Sequence, residues 1–203
     1  MIKRTSKQYI ENFLSSKPDW NILDIGCGYS ANKYANIICD VEDLSKVYKD
    51  KKFIRLIDKK LPFKDKEFDF VIASHVMEHV EDVDFFISEL QRIANKGYIE
   101  LPTKLEDNLV FENKNDHIWQ IDFDDVKNKL IINKRIQYIE PILTVSSIKK
   151  LNEIFRKSLV LELQWENSID YILEKVDINN IKKISIFTLL RKYISKKIRT
   201  FIR

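Results

Sequence analysis

Glycine is scarce in this sequence: three residues among 203, where average usage near 7% would give about 14. A chain this sparing of glycine places each one for a reason, and two of the three are Gly26 and Gly28. Cysteine is nearly absent too. Cys27 and Cys39 are the only two, which excludes a disulfide framework and fits a reducing compartment such as the cytoplasm. No apolar run approaches the length of a membrane-spanning helix. The N-terminal Met-Ile-Lys-Arg-Thr-Ser-Lys is followed by no apolar segment, so no signal peptide is expected. Internal repeats and low-complexity linkers are also lacking.

Acidic residues stop at Asp177. Beyond it stand eight positive residues: Lys182, Lys183, Arg191, Lys192, Lys196, Lys197, Arg199 and Arg203. The net charge of the whole chain is +4, so the part before this tail is −4. A mildly acidic body is not a nucleic-acid surface, and no nucleic-acid partner is expected.

The stretch that is most informative runs Asn21-Ile22-Leu23-Asp24-Ile25-Gly26-Cys27-Gly28. It reads as a short apolar strand ending in a Gly-x-Gly turn. Glycine accepts positive φ cheaply and lets a ligand approach the backbone. At the C-terminal end of a strand, that is how open α/β sheets hold nucleotide cofactors. The positions after the turn are Tyr29, Ser30 and Ala31. With no third glycine, the turn is not built to cradle a pyrophosphate. A cationic cofactor without phosphates suits it, and the acidic Asp24, better than a dinucleotide.

Strand patterns follow at 37–39, 53–57, 68–73 and 98–101. A stunted helix is expected in the short first crossover, and a clear amphipathic helix at 83–94. This alternation predicts a Rossmann-like α/β fold with a mostly parallel sheet. Beyond Pro102 the pattern changes. Residues 117–123 and 130–132 read as a hairpin, Ser146 or Ser147 as a helix cap, and 159–165 as a strand. Antiparallel edge strands are therefore expected in the C-terminal half. The expected division is a domain over 1–178 and a basic amphipathic helix over 179–203. On that helix Phe187, Leu190, Ile194, Ile198 and Phe201 share one face, opposite Lys192, Lys196, Arg199 and Arg203. Such a helix suits either an anionic membrane surface or packing on the domain.

Asp40 closes the second strand, where a carboxylate can accept both hydroxyls of a ribose; Glu42 and Asp43 lie close by. Leu61-Pro62-Phe63, Phe68-Asp69 and Ser74-His75-Val76-Met77-Glu78-His79-Val80 complete a joint pattern. Over residues 20–103 it resembles the class I S-adenosylmethionine (SAM)-dependent methyltransferases of the type 11 domain group. The resemblance implies SAM as cofactor, with the backbone at Gly26, Cys27 and Gly28 and the carboxylate of Asp24 near its methionine part. It also implies that Asp40 binds the ribose, that Asp58 faces the adenine and that Ser74 lines the site. His75 and His117 are the candidate catalytic bases, and His79 is read as structural. Ser30, in place of a third glycine, and the short crossover depart from the family pattern.

No Asn-Pro-Pro-aromatic run ends the fourth strand, which speaks against DNA as acceptor. The expected activity is methylation, chiefly on oxygen, of a small-molecule, saccharide or lipid-linked acceptor. The alternative is a non-catalytic SAM-fold binding or regulatory protein tethered by its basic tail. His75 to His79 also spells H-x-x-E-H, which on a helix would bind zinc through both histidines. The strand-end context favours the methyltransferase pattern instead, and no metal is expected. The oligomeric state is not readable.

Overall fold

Ile22–Ile25 (β2) and Phe70–Ser74 (β5) are short apolar strands buried on both faces, as the middle of a parallel sheet requires. They pair in parallel, with Leu23 opposite Val71 and Ile25 opposite Ala73. Around them the computed structural model, which describes residues 1–176 and 183–202 with side chains through residue 200, places a seven-stranded sheet. On one side of β2 lie Ile37–Asp40 (β3) and Lys52–Arg55 (β4). On the other side, β5 is followed by Lys96–Pro102 (β6), Val160–Glu166 (β9) and Ile2–Arg4 (β1). Strand order thus reverses between β2 and β5. Ligand crevices open at that point in such sheets, above the C-terminal strand ends.

The α/β class and mostly parallel sheet agree with expectation, and β9 is the antiparallel strand from the C-terminal half. It lies one place in from the edge, because the N-terminus supplies the outermost strand: β1 pairs antiparallel with β9, Ile2 opposite Trp165. Ile2 is fully buried, which explains why three residues suffice to hold the edge. The hairpin of Trp119–Asp124 (β7) and Lys129–Lys134 (β8) is present but belongs to a second, three-stranded sheet. There Tyr171–Glu174 (β10) joins β8 in parallel.

Two helices match their patterns. Lys7–Ser15 (α1) is capped by Ser6, whose hydroxyl accepts from Tyr9 N at 3.2 Å. Val83–Ile93 (α2) is capped by Asp82 and buries Val83, Phe86, Ile87, Leu90 and Ile93 on the sheet. The expected stunted helix between β2 and β3 does not form; residues 29–36 are turns. The segment after Pro102 carries two short helices, Lys104–Leu109 (α3) and Asn113–Asp116 (α4). Val145–Leu159 (α5) is capped by Thr144 rather than Ser146 or Ser147. Its Ile154 and Phe155 face outward, where non-helical dihedrals at Phe155 kink the helix.

The C-terminal helix is Ile186–Ile202 (α6). The division expected at residues 178 and 179 lies outside the described residues, as does Arg203. What ties the helix to the body is a bridge between Ile139 and Ile184 and the bond from Ile186 N to Glu140 Oε2 at 2.8 Å. Phe187 is 83% exposed, and Leu190, Ile194 and Ile198 are 50–53% exposed. Among the described residues, no helix is long and apolar enough to cross a membrane.

Candidate active site

Both glycines of the turn after β2 have positive φ, +65° at Gly26 and +49° at Gly28. Their surroundings differ. A Cβ on Gly26 would meet Val76 Cγ2 at 2.3 Å, whereas one on Gly28 would meet nothing within 4 Å. Gly26 is therefore held by the protein's own packing, and Gly28 opens onto free space. The turn is pinned from three directions. Gly26 N and Cys27 N donate to Cys39 O at 2.8 and 3.2 Å. Gly28 N donates to Asp40 Oδ2 at 2.9 Å. Tyr48 donates its hydroxyl to Gly28 O at 2.7 Å and accepts from Ala31 N at 2.9 Å. Tyr48 is a residue that sequence reasoning missed, since it lies 20 positions from its partner and belongs to no motif.

Asp24 is 4% exposed and accepts from Asn32 N at 2.7 Å. It forms no ion pair among the described residues. Burial away from water raises its carboxyl to about 6, against the lesser pull of the Asn32 amide. The thiol of Cys27 is likewise raised, to about 12, by burial and then by Asp24 and Asp40. It stays protonated and is no nucleophile at neutral pH.

A cavity of about 960 Å³ brings Asp24, Gly26, Cys27, Ser74 and His75 together. Ser6 to Glu11 of the α1 start and residues 149–158 of α5 form its other walls. Asp40 stands beside this cavity, with its carboxylate turned to the backbone of Gly28 and of Glu42, the latter at 3.0 Å. Asp58 is exposed in the loop after β4. His117 belongs to a different buried group.

His75, left-handed at φ +55°, sits between two carboxylates. Nδ1 is 3.2 Å from Glu78 Oε1 and Nε2 is 3.4 Å from Glu100 Oε1. Burial opposes the charge, but hydrogen bonds to Glu100 and Glu78 outweigh it and carry the ring up to about 10. Its side chain is 42% exposed, so water screens part of this pull. The direction of the shift favours the charged ring. As placed on the cavity wall, the ring has both of its nitrogens facing carboxylates.

Glu100 continues the network. Its Oε2 accepts from Tyr98 Oη at 2.6 Å and from Arg156 at 2.7 Å. Burial works against its charge, but the bonds from His75 and Tyr98 and the field of Arg156 lower it to about 2. Arg156 also reaches Glu162 Oε1 at 3.0 Å. This cluster of Glu100, Arg156, Glu162 and Tyr98 was not foreseen; its members come from two strands and a helix. The other unforeseen acid is Glu106 on α3, 7% exposed and raised by burial to about 7. Of these carboxyls it stands nearest the neutral range for proton exchange.

His117 bonds Asp107 Oδ1 through Nδ1 at 2.6 Å, and its side chain is 6% exposed. Asp107 is also held by Arg135 and Gln120. This side chain faces the turn that follows β5 and is not among the residues that line the large cavity.

Residues 23–99 match the family described as "Methyltransferase domain". The chain is 29% identical over 189 residues to the uncharacterized protein MJ0638 of Methanocaldococcus jannaschii, covering 74% of this chain and 81% of that one. Among solved structures it is similar to PH0226 from Pyrococcus horikoshii OT3, at 15% identity, 80% and 92% coverage and a TM-score of 0.46. It is similar as well to a SAM-dependent methyltransferase from Aquifex aeolicus, at 12% identity, 78% and 87% coverage and a TM-score of 0.44.

Proposed function

We propose that this chain, whose residues 23–99 match a methyltransferase domain, is a SAM-dependent methyltransferase that methylates an oxygen of a small-molecule, saccharide or lipid-linked acceptor. The observation that supports this most is the meeting of Asp24, Gly26, Cys27, Ser74 and His75 on one cavity at the strand-order reversal.

The residues fit the cofactor. The open space at Gly28 is room that a side chain would fill. Asp24 is a buried acid without an ion-pair partner among the described residues, which suits the cationic methionine end of SAM. Asp40 would take the ribose, Asp58 the adenine, and the backbone from Gly26 to Gly28, with Ser74, the methionine end. Bound there, SAM supplies a sulfonium-activated methyl group. The protein's part is then alignment and exclusion of water. The His75 imidazolium, fixed by Glu78 and Glu100, orients an acceptor oxygen or binds an anionic acceptor group. The basic helix α6 would bring the enzyme to an anionic membrane surface, such as the inner face of the cytoplasmic membrane. The exposure of Phe187, Leu190, Ile194 and Ile198 supports that contact.

Calorimetric titration with SAM and with S-adenosylhomocysteine, beside Asp40→Ala, tests the reading. Micromolar binding that the substitution abolishes is expected. Absence of binding to folded wild-type protein would overturn the enzyme assignment and leave a tethered binding protein in its place.

A further inference from the structure

Residues 75–80, between β5 and α2, form a turn and not a helix. The H-x-x-E-H spacing therefore does not place His75 and His79 on a common face; His75 turns to Glu100 instead. The turn is bolted to the chain around His117. Ile118 N and Trp119 N both donate to Glu78 O, at 2.8 and 3.1 Å. The Trp119 indole donates to Val80 O at 2.8 Å. This brings ligating atoms of Glu78, His79 and His117 within 4.8 Å of one another. We propose that these three residues form a binding site for one divalent transition cation of the zinc class, separate from the SAM cavity.

Three independent features support the site. First, each histidine has its second nitrogen occupied. His79 Nδ1 is 3.0 Å from Asp116 O. A carbonyl only accepts, so Nδ1 bears the proton and Nε2 offers its lone pair. His117 Nδ1 is 2.6 Å from Asp107 Oδ1, which also accepts from Arg135 Nε at 3.0 Å. Carbonyl and carboxylate partners of this kind are what orient metal-bound imidazoles. Second, Glu78 is 1% exposed, and among the described residues its Oε2 is buried without a hydrogen-bond partner while Oε1 faces His75. An unpaired buried carboxylate oxygen is costly, and a cation answers it. Third, the two imidazole rings stand 88° apart with centroids at 4.7 Å. Two imidazoles ligating one ion through Nε2 at about 2.1 Å put their centroids about 4.5–5.2 Å apart.

Two imidazoles and one carboxylate suit zinc and its first-row neighbours, and three protein ligands leave a coordination position for water or an acceptor heteroatom. His79 is exposed, so this position is reachable from solvent. The site touches the SAM cavity through one bridge: Glu78 Oε1 holds His75, which lines the cavity wall. An ion here would thus hold the Glu78 carboxylate against which the His75 ring is placed.

The test uses tag-free full-length protein stripped with chelator and titrated with Zn²⁺ by calorimetry, with Co²⁺ and its visible absorption as a second readout. One ion per chain is expected. His79→Ala alters only an exposed ring and should weaken binding by more than the about 10- to 100-fold that loss of an outer partner costs. Glu78→Gln, nearly isosteric, should weaken it as well, with the fold checked by circular dichroism. No stoichiometric binding of either ion to folded wild-type protein, or wild-type affinity in His79→Ala, would overturn the site whatever Glu78→Gln does.

Discussion

The Cβ that Gly26 lacks would stand 2.3 Å from Cγ2 of Val76. The glycine turn and the turn after β5 are therefore packed against each other beside the large cavity. Gly26→Ala adds a left-handed penalty to this overlap and should cost about 2–4 kcal/mol, read from urea denaturation. Val76→Ala removes the overlapping methyl. Combined with Gly26→Ala it should cost less than the sum of the two single changes, with a coupling of about 1 kcal/mol or more. Strict additivity would show that φ alone accounts for the glycine.

Gly28 separates stability from binding. With nothing within 4 Å of its missing Cβ and φ at +49°, Gly28→Ala should destabilise by only about 1–2 kcal/mol. SAM affinity should fall by at least about 10-fold, because the methyl enters space kept for the ligand. The same calorimetry checks it; unchanged affinity would mean that the turn does not underlie the cofactor.

Asp24 makes stability depend on pH in a direction opposite to that of a salt-bridged acid. Its carboxyl is raised from 3.8 to about 6, chiefly by burial, so the folded state holds the proton more tightly than the unfolded one. The stabilisation from Asp24 is present below its unfolded value and is lost as pH rises from 3.8 through about 6. At neutral pH the buried charge costs on the order of 3 kcal/mol. Asp24→Asn should thus be more stable than wild type at pH 7, and the gap should shrink as pH falls toward 4. Chemical denaturation of both proteins at several pH values measures this; parallel profiles would refute it.

The exposed apolar face of α6 leads to a membrane prediction. Full-length protein should co-sediment with vesicles containing anionic lipid, and protein lacking residues 179–203 should not. Binding should weaken at 1 M salt, where screening shortens to about 3 Å. Equal sedimentation of both proteins would exclude the helix as the contact.

Much of the core was legible because it is written locally. Ile22–Ile25 with Gly26 and Gly28 specify a strand and its turn within seven residues, and α2 carries its cap and its apolar stripe in one segment. Burial on both faces made β2 and β5 apolar, so both could be read as strands. The rest depended on contacts distant in sequence. Ile2 is an edge-strand residue only because Trp165 lies opposite it. Glu100 is strongly acidic only because His75, Tyr98 and Arg156 converge on it. His117 is poised beside Glu78 and His79 only because the amides of Ile118 and Trp119 bond to Glu78 O. Periodicity reports which side of an element meets the core, but not which distant residue it meets there. The sequence by itself therefore determined the strands and the glycine turn. Only the tertiary structure decided the carboxylates around His75, the partners of Glu100 and the grouping of Glu78, His79 and His117, because each arises from side chains brought together by long-range packing.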